Sequence, residues 1–197
     1  MRDLGVGKNQ SESIVLEESR NLVEEIERLR RLDGGVITGS RLDTVFKKTA
    51  LNVVWHFCGG RRFNYEDERM EKLLYLLDCF VILGKDIMRT VLGSVSFLRY
   101  VPPYRSKYNE VNEGLGLLRE FVSESIEEHL DSLDVSNPRD LIDMYLIEAQ
   151  QEDHSKTFTR ENLVAICVDL FLAGSETTAK VHFFQIFKIS IVLIYFI

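Results

Sequence analysis

Cysteine and proline are scarce in this chain of 197 residues, three of each, and tryptophan occurs once. The cysteines, Cys58, Cys79 and Cys167, are odd in number, widely spaced and free of any Cys-x-x-Cys pair. That excludes a disulfide framework and a zinc ribbon, and makes a reducing compartment the simpler setting. The four histidines, His56, His129, His154 and His182, stand singly, so no metal ligand set is expected. Positive charge is in deficit, 24 basic against 31 acidic side chains for a net charge of −7, which argues against nucleic acid as a partner. The N-terminal stretch contains neither the apolar core of a signal peptide nor a run of ~20 apolar residues, so nothing there addresses the chain to a membrane. What is present, 28% charged and 45% hydrophobic residues, is an ordinary globular composition. It suits one domain of ~100–200 residues or a piece of something larger, long enough to bury a core.

Between the prolines Pro102, Pro103 and Pro138 the apolar residues recur at intervals of three and four, the spacing of one face of a helix. The fold is therefore expected to be mainly α. The first helix should begin near Ser11–Ser13, bury Val15, Leu22, Ile26 and Leu29, and turn Glu17, Glu18, Glu24, Glu25 and Glu27 to water before Asp33-Gly34-Gly35 ends it. Ser40 followed by Asp43 resembles a capping box for a second helix, closed by Gly59-Gly60. A third can run from Glu66 to Gly84. Consecutive prolines make 99–104 an extended connector. Beyond it Val111, Leu115, Leu118, Val122, Ile126, Leu130 and Leu133 give the clearest helical rhythm. Ser136-Asn137-Pro138 breaks the chain, a short helix carries Leu141, Tyr145 and Leu146, and 150–156 is a polar connector.

The last helix starts at Thr159, a natural N-cap, with Glu161 in its first turn. Its buried side is expected to pass through Leu163, Cys167, Leu170, Gly174 and Thr177, bulky at first and small and polar at the end. Gly174 weakens a helix interior by about 1 kcal/mol relative to alanine, and Thr177 and Thr178 weaken the same turn further. Ala173-Gly174 removes volume, so that something broad and flat could lie against the backbone. The Thr177 hydroxyl can bond back to the Ala173 carbonyl and open the helical ladder, a disturbance common at functional sites. Glu176 beside that alcohol completes a reasonable proton-delivery pair. The residues alone leave a second reading open, in which the small patch only lets another helix approach.

The segment Ala173-Gly174-Ser175-Glu176-Thr177-Thr178, preceded by Asp169-Leu170-Phe171, resembles the oxygen-activating long helix of the cytochrome P-450 haem-thiolate monooxygenases, whose pattern there is Ala/Gly-Gly-x-x-Thr-Thr. Three further segments resemble the same family in order and spacing. They are Arg2-Asp3-Leu4-Gly5-Val6-Gly7-Lys8, Arg62-Phe63-Asn64-Tyr65, and Asn137-Pro138-Arg139-Asp140-Leu141-Ile142-Asp143. The likeness covers about residues 1–180 and points to the animal microsomal group; the phrase from Leu170 to Thr178 looks insect-like. It implies a partial family domain over 1–180, made of middle helices of the fold without the haem-ligand region.

By this resemblance Thr177 takes the role of the threonine that stabilises oxygen at the haem iron and relays protons, with Glu176 as the acid beside it. Ala173, Gly174 and Thr177 would face the haem, and Asp169, Leu170 and Ala173 the substrate. Phe97–Tyr104 falls where the family has a mobile lid. The family also implies a small organic substrate, electrons from NADPH through a reductase, and a parent protein on the cytosolic face of the endoplasmic reticulum membrane. Arg2 and Lys8 could belong to the surface where the reductase docks.

The departures matter as much. The family's proximal cysteine lies in a Phe-x-x-Gly-x-x-x-Cys-x-Gly loop that this sequence does not contain, and thiolate ligation is what drives O–O cleavage. Cys58 precedes Gly60 but lacks the upstream residues, and Cys79 and Cys167 read as structural thiols. The Glu-x-x-Arg matches at Glu17, Glu25, Glu27 and Glu66 fall in charged helical surfaces, where pairing at i,i+3 explains them. Arg30-Arg31 and Arg61-Arg62 read as solvated charge, and Trp55 with Phe57 as core. Residues 181–197, apolar without a helical stripe and broken by Lys188, are expected to lie outside the family domain as translated non-coding sequence or a foreign exon. The expectation is a segment inactive on its own, against the alternative of a non-enzymatic helical protein that binds partners.

Overall fold

The computed structural model describes residues 9–89, 101, 102, 104–151 and 157–195. The expected segments at 2–8 and most of 97–104 lie outside these. Six helices follow one another: α1 (Asn9–Leu32), α2 (Gly39–Gly59), α3 (Glu68–Arg89), α4 (Tyr104–Asp131), α5 (Leu141–Ala149) and α6 (Arg160–Tyr195). Among the described residues there is no strand, so the mainly α expectation holds.

The chain punctuation acts as its chemistry dictates. Gly34 and Gly35 end α1 with φ of 69° and 103°, and the Gly35 amide bonds back to the Arg30 carbonyl at 2.8 Å. Gly60, at φ 64°, closes α2 by donating to the His56 carbonyl. The Ser40–Asp43 capping box does not form. Thr38 occupies the N-cap without a side-chain cap bond, and Ser40 is already the second residue of the helix, its carbonyl accepting from the Thr44 hydroxyl. α4 starts at Tyr104, directly after the prolines, because a proline restricts the residue before it and leaves the residue after it free to begin a helix.

α2 is the hub, touching α1, α3, α5 and α6. Trp55, completely buried, stacks on Phe171 of α6 with ring centroids 5.0 Å apart and meets Phe121 of α4 at 5.0 Å and Phe63 at 6.2 Å. Around these rings pack Leu51 and Cys58 of α2, Met70, Leu73 and Leu77 of α3, Val122 and Ile126 of α4, Ile142 of α5, and Leu163 and Cys167 of α6. A smaller cluster joins Phe46 and Ala50 to Ala179 near the other end of the α2–α6 contact.

α1 is rotated from the expected orientation. Val15 is exposed, while Ile14 and Glu18 are buried. Glu18, expected in water, pairs with Arg62, expected as solvated charge, and lies 3.4 Å from the Asn52 amide nitrogen. Burying a carboxylate is tolerable only with such partners. Asn52 also exchanges two hydrogen bonds with the Phe63 backbone, at 2.9 and 3.0 Å, standing in for a peptide group. Lys48 donates to the Tyr65 carbonyl at 2.6 Å. The Arg62–Tyr65 segment is thus sewn to α2 by Lys48, Thr49 and Asn52. Burial, offset in part by the bond with Thr49, pushes the Tyr65 phenol up to about 12.

α6 continues through Lys180 to Tyr195 as helix. Its Arg160–Val181 portion is long and apolar enough to cross a membrane, yet Leu163, Cys167 and Phe171 within it are wholly buried against the other helices, as in the core helix of a bundle.

Candidate functional site

Thr159 caps α6 as expected, its hydroxyl accepting from the Asn162 amide at 3.2 Å, with Glu161 in the first turn. From there the buried stripe runs through Leu163, Cys167, Phe171, Ser175 and Ala179. The expected course through Leu170, Gly174 and Thr177 is corrected: Leu170 and Gly174 are half-buried and Thr177 is exposed. The large Phe171 ring seeks Trp55, and the small Ser175 and Ala179 then let α2 come close, so the contact line drifts onward by one residue at Phe171 and Ser175 and by two at Ala179.

The opposite face carries Asp169, Ala173, Thr177 and Val181, each one turn from the last and each exposed, with Leu170 at its border. Here the Thr177 hydroxyl donates to the Ala173 carbonyl at 2.5 Å, the back-bond that the sequence suggested. On the buried side Ser175 makes the matching bond to the Phe171 carbonyl at 2.6 Å. Two hydroxyls therefore engage two carbonyls within a single turn. Ser175 was missed although the rule that found Thr177 applies to it unchanged. Glu176 lies in the same turn, and its side chain is outside the described residues.

Gly174 has a different employment from its neighbours. A Cβ there would stand 2.6 Å from Val54 Cγ2 of α2, so the missing side chain admits the neighbouring helix. The small patch thus divides: Gly174 serves packing, and Ala173 with Thr177 remains on the uncovered face.

Neither described cysteine reaches that face. Cys58 and Cys167 are buried and free, and the hydrogen-bonding Cys167 thiol beside it, followed by burial and by the charges of Cys167 and Asp140, pushes the Cys58 thiol upward. A thiol so placed is inert. Cys79 lies within α3, its side chain outside the described residues.

One trio of ligand-type side chains, His129, Asp140 and Asp143, does gather, which the scattered histidines did not suggest. Its atoms are already engaged. His129 Nδ1 lies 2.6 Å from the Ser125 carbonyl and Nε2 2.8 Å from Asp140 Oδ2. Asp140 Oδ1 caps α5 by accepting from the Asp143 amide at 2.9 Å, and Asp143 takes two bonds from the Arg139 guanidinium, at 2.6 and 2.9 Å. Burial raises the Asp143 carboxyl, but Arg139 outweighs it and holds the group below its ordinary range. A guanidinium in that place leaves no vacancy for a cation.

The chain is a mainly helical core with a hydroxyl-carbonyl pair on the open side of its longest described helix; comparison with known proteins defines the family. The family described as Cytochrome P450 matches residues 1–189, and the chain belongs to it. Cytochrome P450 2C41 of Canis lupus familiaris is 35% identical over 184 residues, covering 91% of this chain and 35% of the relative. Cytochrome P450 2B4 of Oryctolagus cuniculus is 34% identical over 183 residues, 91% of this chain and 35% of its own length. Cytochrome P450 2J5 of Mus musculus is 33% identical over 182 residues, 91% of this chain and 34% of its own. The chain therefore spans about a third of the length of these curated relatives. All three are mammalian, and the insect likeness has no support in them.

The family implies haem, and the open face of α6 fits one side of such a group. Position 173 offers only a methyl, and the Thr177 hydroxyl is anchored rather than free. The described thiols do not fit the other side, since both are buried away from this face.

Proposed function

We propose that this chain is the oxygen-side segment of a haem-dependent monooxygenase that inserts one atom of O2 into a small organic substrate. The observation that carries the reading is the Thr177–Ala173 bond on the uncovered face of α6. Haem, when bound, supplies the redox chemistry. Ala173 leaves room for its edge, Thr177 holds a hydroxyl at a fixed height above the helix for proton transfer, and Glu176 stands next in sequence as the proton source. Gly174 contributes indirectly, by seating α6 on α2. Asp169 and Leu170, with Ala173, border the space where a substrate would lie. Electrons from NADPH through a reductase, and residence on the cytosolic side of the endoplasmic reticulum membrane, complete the reading by analogy with the family.

The 197 residues alone are proposed to be inactive, because proton delivery without a thiolate ligand does not cleave the O–O bond. The family domain is proposed to end near 180, with 181–197 foreign to it, although the family match itself reaches residue 189. Supplied with haem, reduced and exposed to carbon monoxide, the chain is expected to show no thiolate-type Soret band, whereas a protein extended through a proximal cysteine loop shows it. The band in the short chain would refute its inactivity, and its absence from the extended protein would refute the monooxygenase reading. In the extended protein Thr177→Val is expected to leave the band and raise the peroxide released per NADPH consumed.

The second reading, a non-enzymatic helical protein, is favoured by one observation, the Gly174–Val54 contact. It requires residues 1–180 to unfold cooperatively without haem; a molten or aggregating product counts against it.

A further inference from the structure

Both ring nitrogens of His129 face oxygen atoms that accept hydrogen bonds. The Ser125 carbonyl can only accept, and Asp140 Oδ2 is the free oxygen of a carboxylate whose other oxygen already receives the Asp143 amide. A neutral imidazole has one N–H, so in either tautomer a lone pair would point at one of these acceptors, 2.6 or 2.8 Å away. Two protons satisfy the arrangement. We propose that His129 and Asp140 form a buried imidazolium–carboxylate pair that works as a pH-operated fastener, joining α4, the N-terminus of α5 and the C-terminal end of α2 while His129 is charged, and loosening that corner when alkaline solution removes the proton.

Three elements meet at the pair. His129 is the last-turn cation of α4, where the helix dipole favours positive charge. Asp140 is the N-cap of α5, so whatever unseats its carboxylate also uncaps that helix. The end of α2 presses on the same atom: a Cβ at Gly60 would lie 2.6 Å from Asp140 Oδ2. Two residues before Gly60, Cys58 packs in the same buried core as Cys167 of α6, and α5 returns to α6 through the Tyr145 hydroxyl, which donates to the Thr159 carbonyl at 3.1 Å. The corner is thus tied to the first two turns of α6, ahead of the stretch on which the proposed site is built.

The surrounding charges leave Asp140 no substitute for His129. From the connector, Arg139 is committed to Asp143 and to the Ser132 hydroxyl. Arg61, following α2, pairs with Glu128 of α4 at 2.7 Å. On α5, Asp143 adds negative charge that favours the imidazolium, and on α2 the Cys58 thiol is pushed upward, so it does not ionise first. Burial pulls His129 down, but Asp140 and the Ser125 carbonyl outweigh it, and the proton is held above the ordinary value of about 6.5. A raised folded value means that the stabilisation is complete below about pH 6.5 and fades as pH rises through the folded value.

The test uses the full chain with labelled histidine. Ring nitrogen resonances of His129 are expected to show two protonated nitrogens at neutral pH and one titration above that of free imidazole. Through the same pH interval, hydrogen exchange of the Asp143 and Met144 amides, corrected for its intrinsic pH dependence, should accelerate at least about tenfold, while exchange in the middle of α2 changes less. His129→Gln, which can still donate one bond to Asp140, should abolish the pH-dependent step. A neutral His129 at pH 7, a titration like that of free imidazole, or α5 exchange unchanged across the titration would overturn the proposal. None of these results depends on haem, so they leave the monooxygenase reading to its own test.

Discussion

Trp55→Ala is expected to destabilise the chain by about 3–5 kcal/mol, a large share of the ~5–15 kcal/mol typical of a folded domain. The indole has no exposed surface and touches three phenylalanine rings contributed by α4, α6 and the 61–67 connector. It also fills the space over Gly59, where a Cβ would stand 2.8 Å from the ring. Truncation therefore opens a cavity at the junction of three elements, and aromatic pairing worth ~0.5–1.5 kcal/mol per contact goes with it. Trp55→Phe should cost much less. The indole N–H finds no acceptor among the described residues, and removing a buried unpaired donor recovers part of the loss. Urea unfolding followed by circular dichroism decides the matter; a Trp55→Ala loss below ~1 kcal/mol would mean that α2 is not the hub described above.

The second large effect is one of sign. In most helices Gly→Ala stabilises by about 1 kcal/mol, yet Gly174→Ala is expected to destabilise by about 1–3 kcal/mol. The new methyl would meet Val54 Cγ2 at 2.6 Å, and a β-branched side chain has few rotamers with which to retreat. Combining Gly174→Ala with Val54→Ala should restore the ordinary behaviour, so that the glycine substitution stabilises in that background. A double-mutant cycle reads this directly. Additive effects would show that Gly174 does not hold α6 against α2, and that its smallness needs another explanation.

How much of this was legible beforehand depends on whether the interaction was local. The ends of α1 and α2 were readable because Gly34, Gly35 and Gly60 impose a backbone conformation that other residues avoid. The Thr177 back-bond was readable because it spans four residues of one helix. The i,i+3 pairs Glu25–Arg28 and Glu27–Arg30 formed as spacing alone suggested, at 2.8 and 3.0 Å. By contrast, Glu18 looked like any other acid in a run of acids until Arg62, 44 positions away, and Asn52 came to meet it. Val54 carries no mark that separates it from other valines. His129 stood alone in the sequence because its partner is on the far side of a turn. Periodicity also placed the buried side of α6 slightly wrong, since it weighs every apolar residue alike, whereas the fold is governed by where one large ring, Phe171, finds its stacking partner.

Because Trp55 is the sole indole of the chain, its fluorescence comes from one known place, the meeting of α2, α4 and α6. A pigment resting on the open side of α6 would be separated from it by little more than the thickness of one helix, ~10 Å. Emission at that separation is drained by any chromophore absorbing in the near ultraviolet or blue. The chain thus carries a built-in gauge, lit while the outer side of its longest helix is bare and dimmed once a coloured ligand settles there.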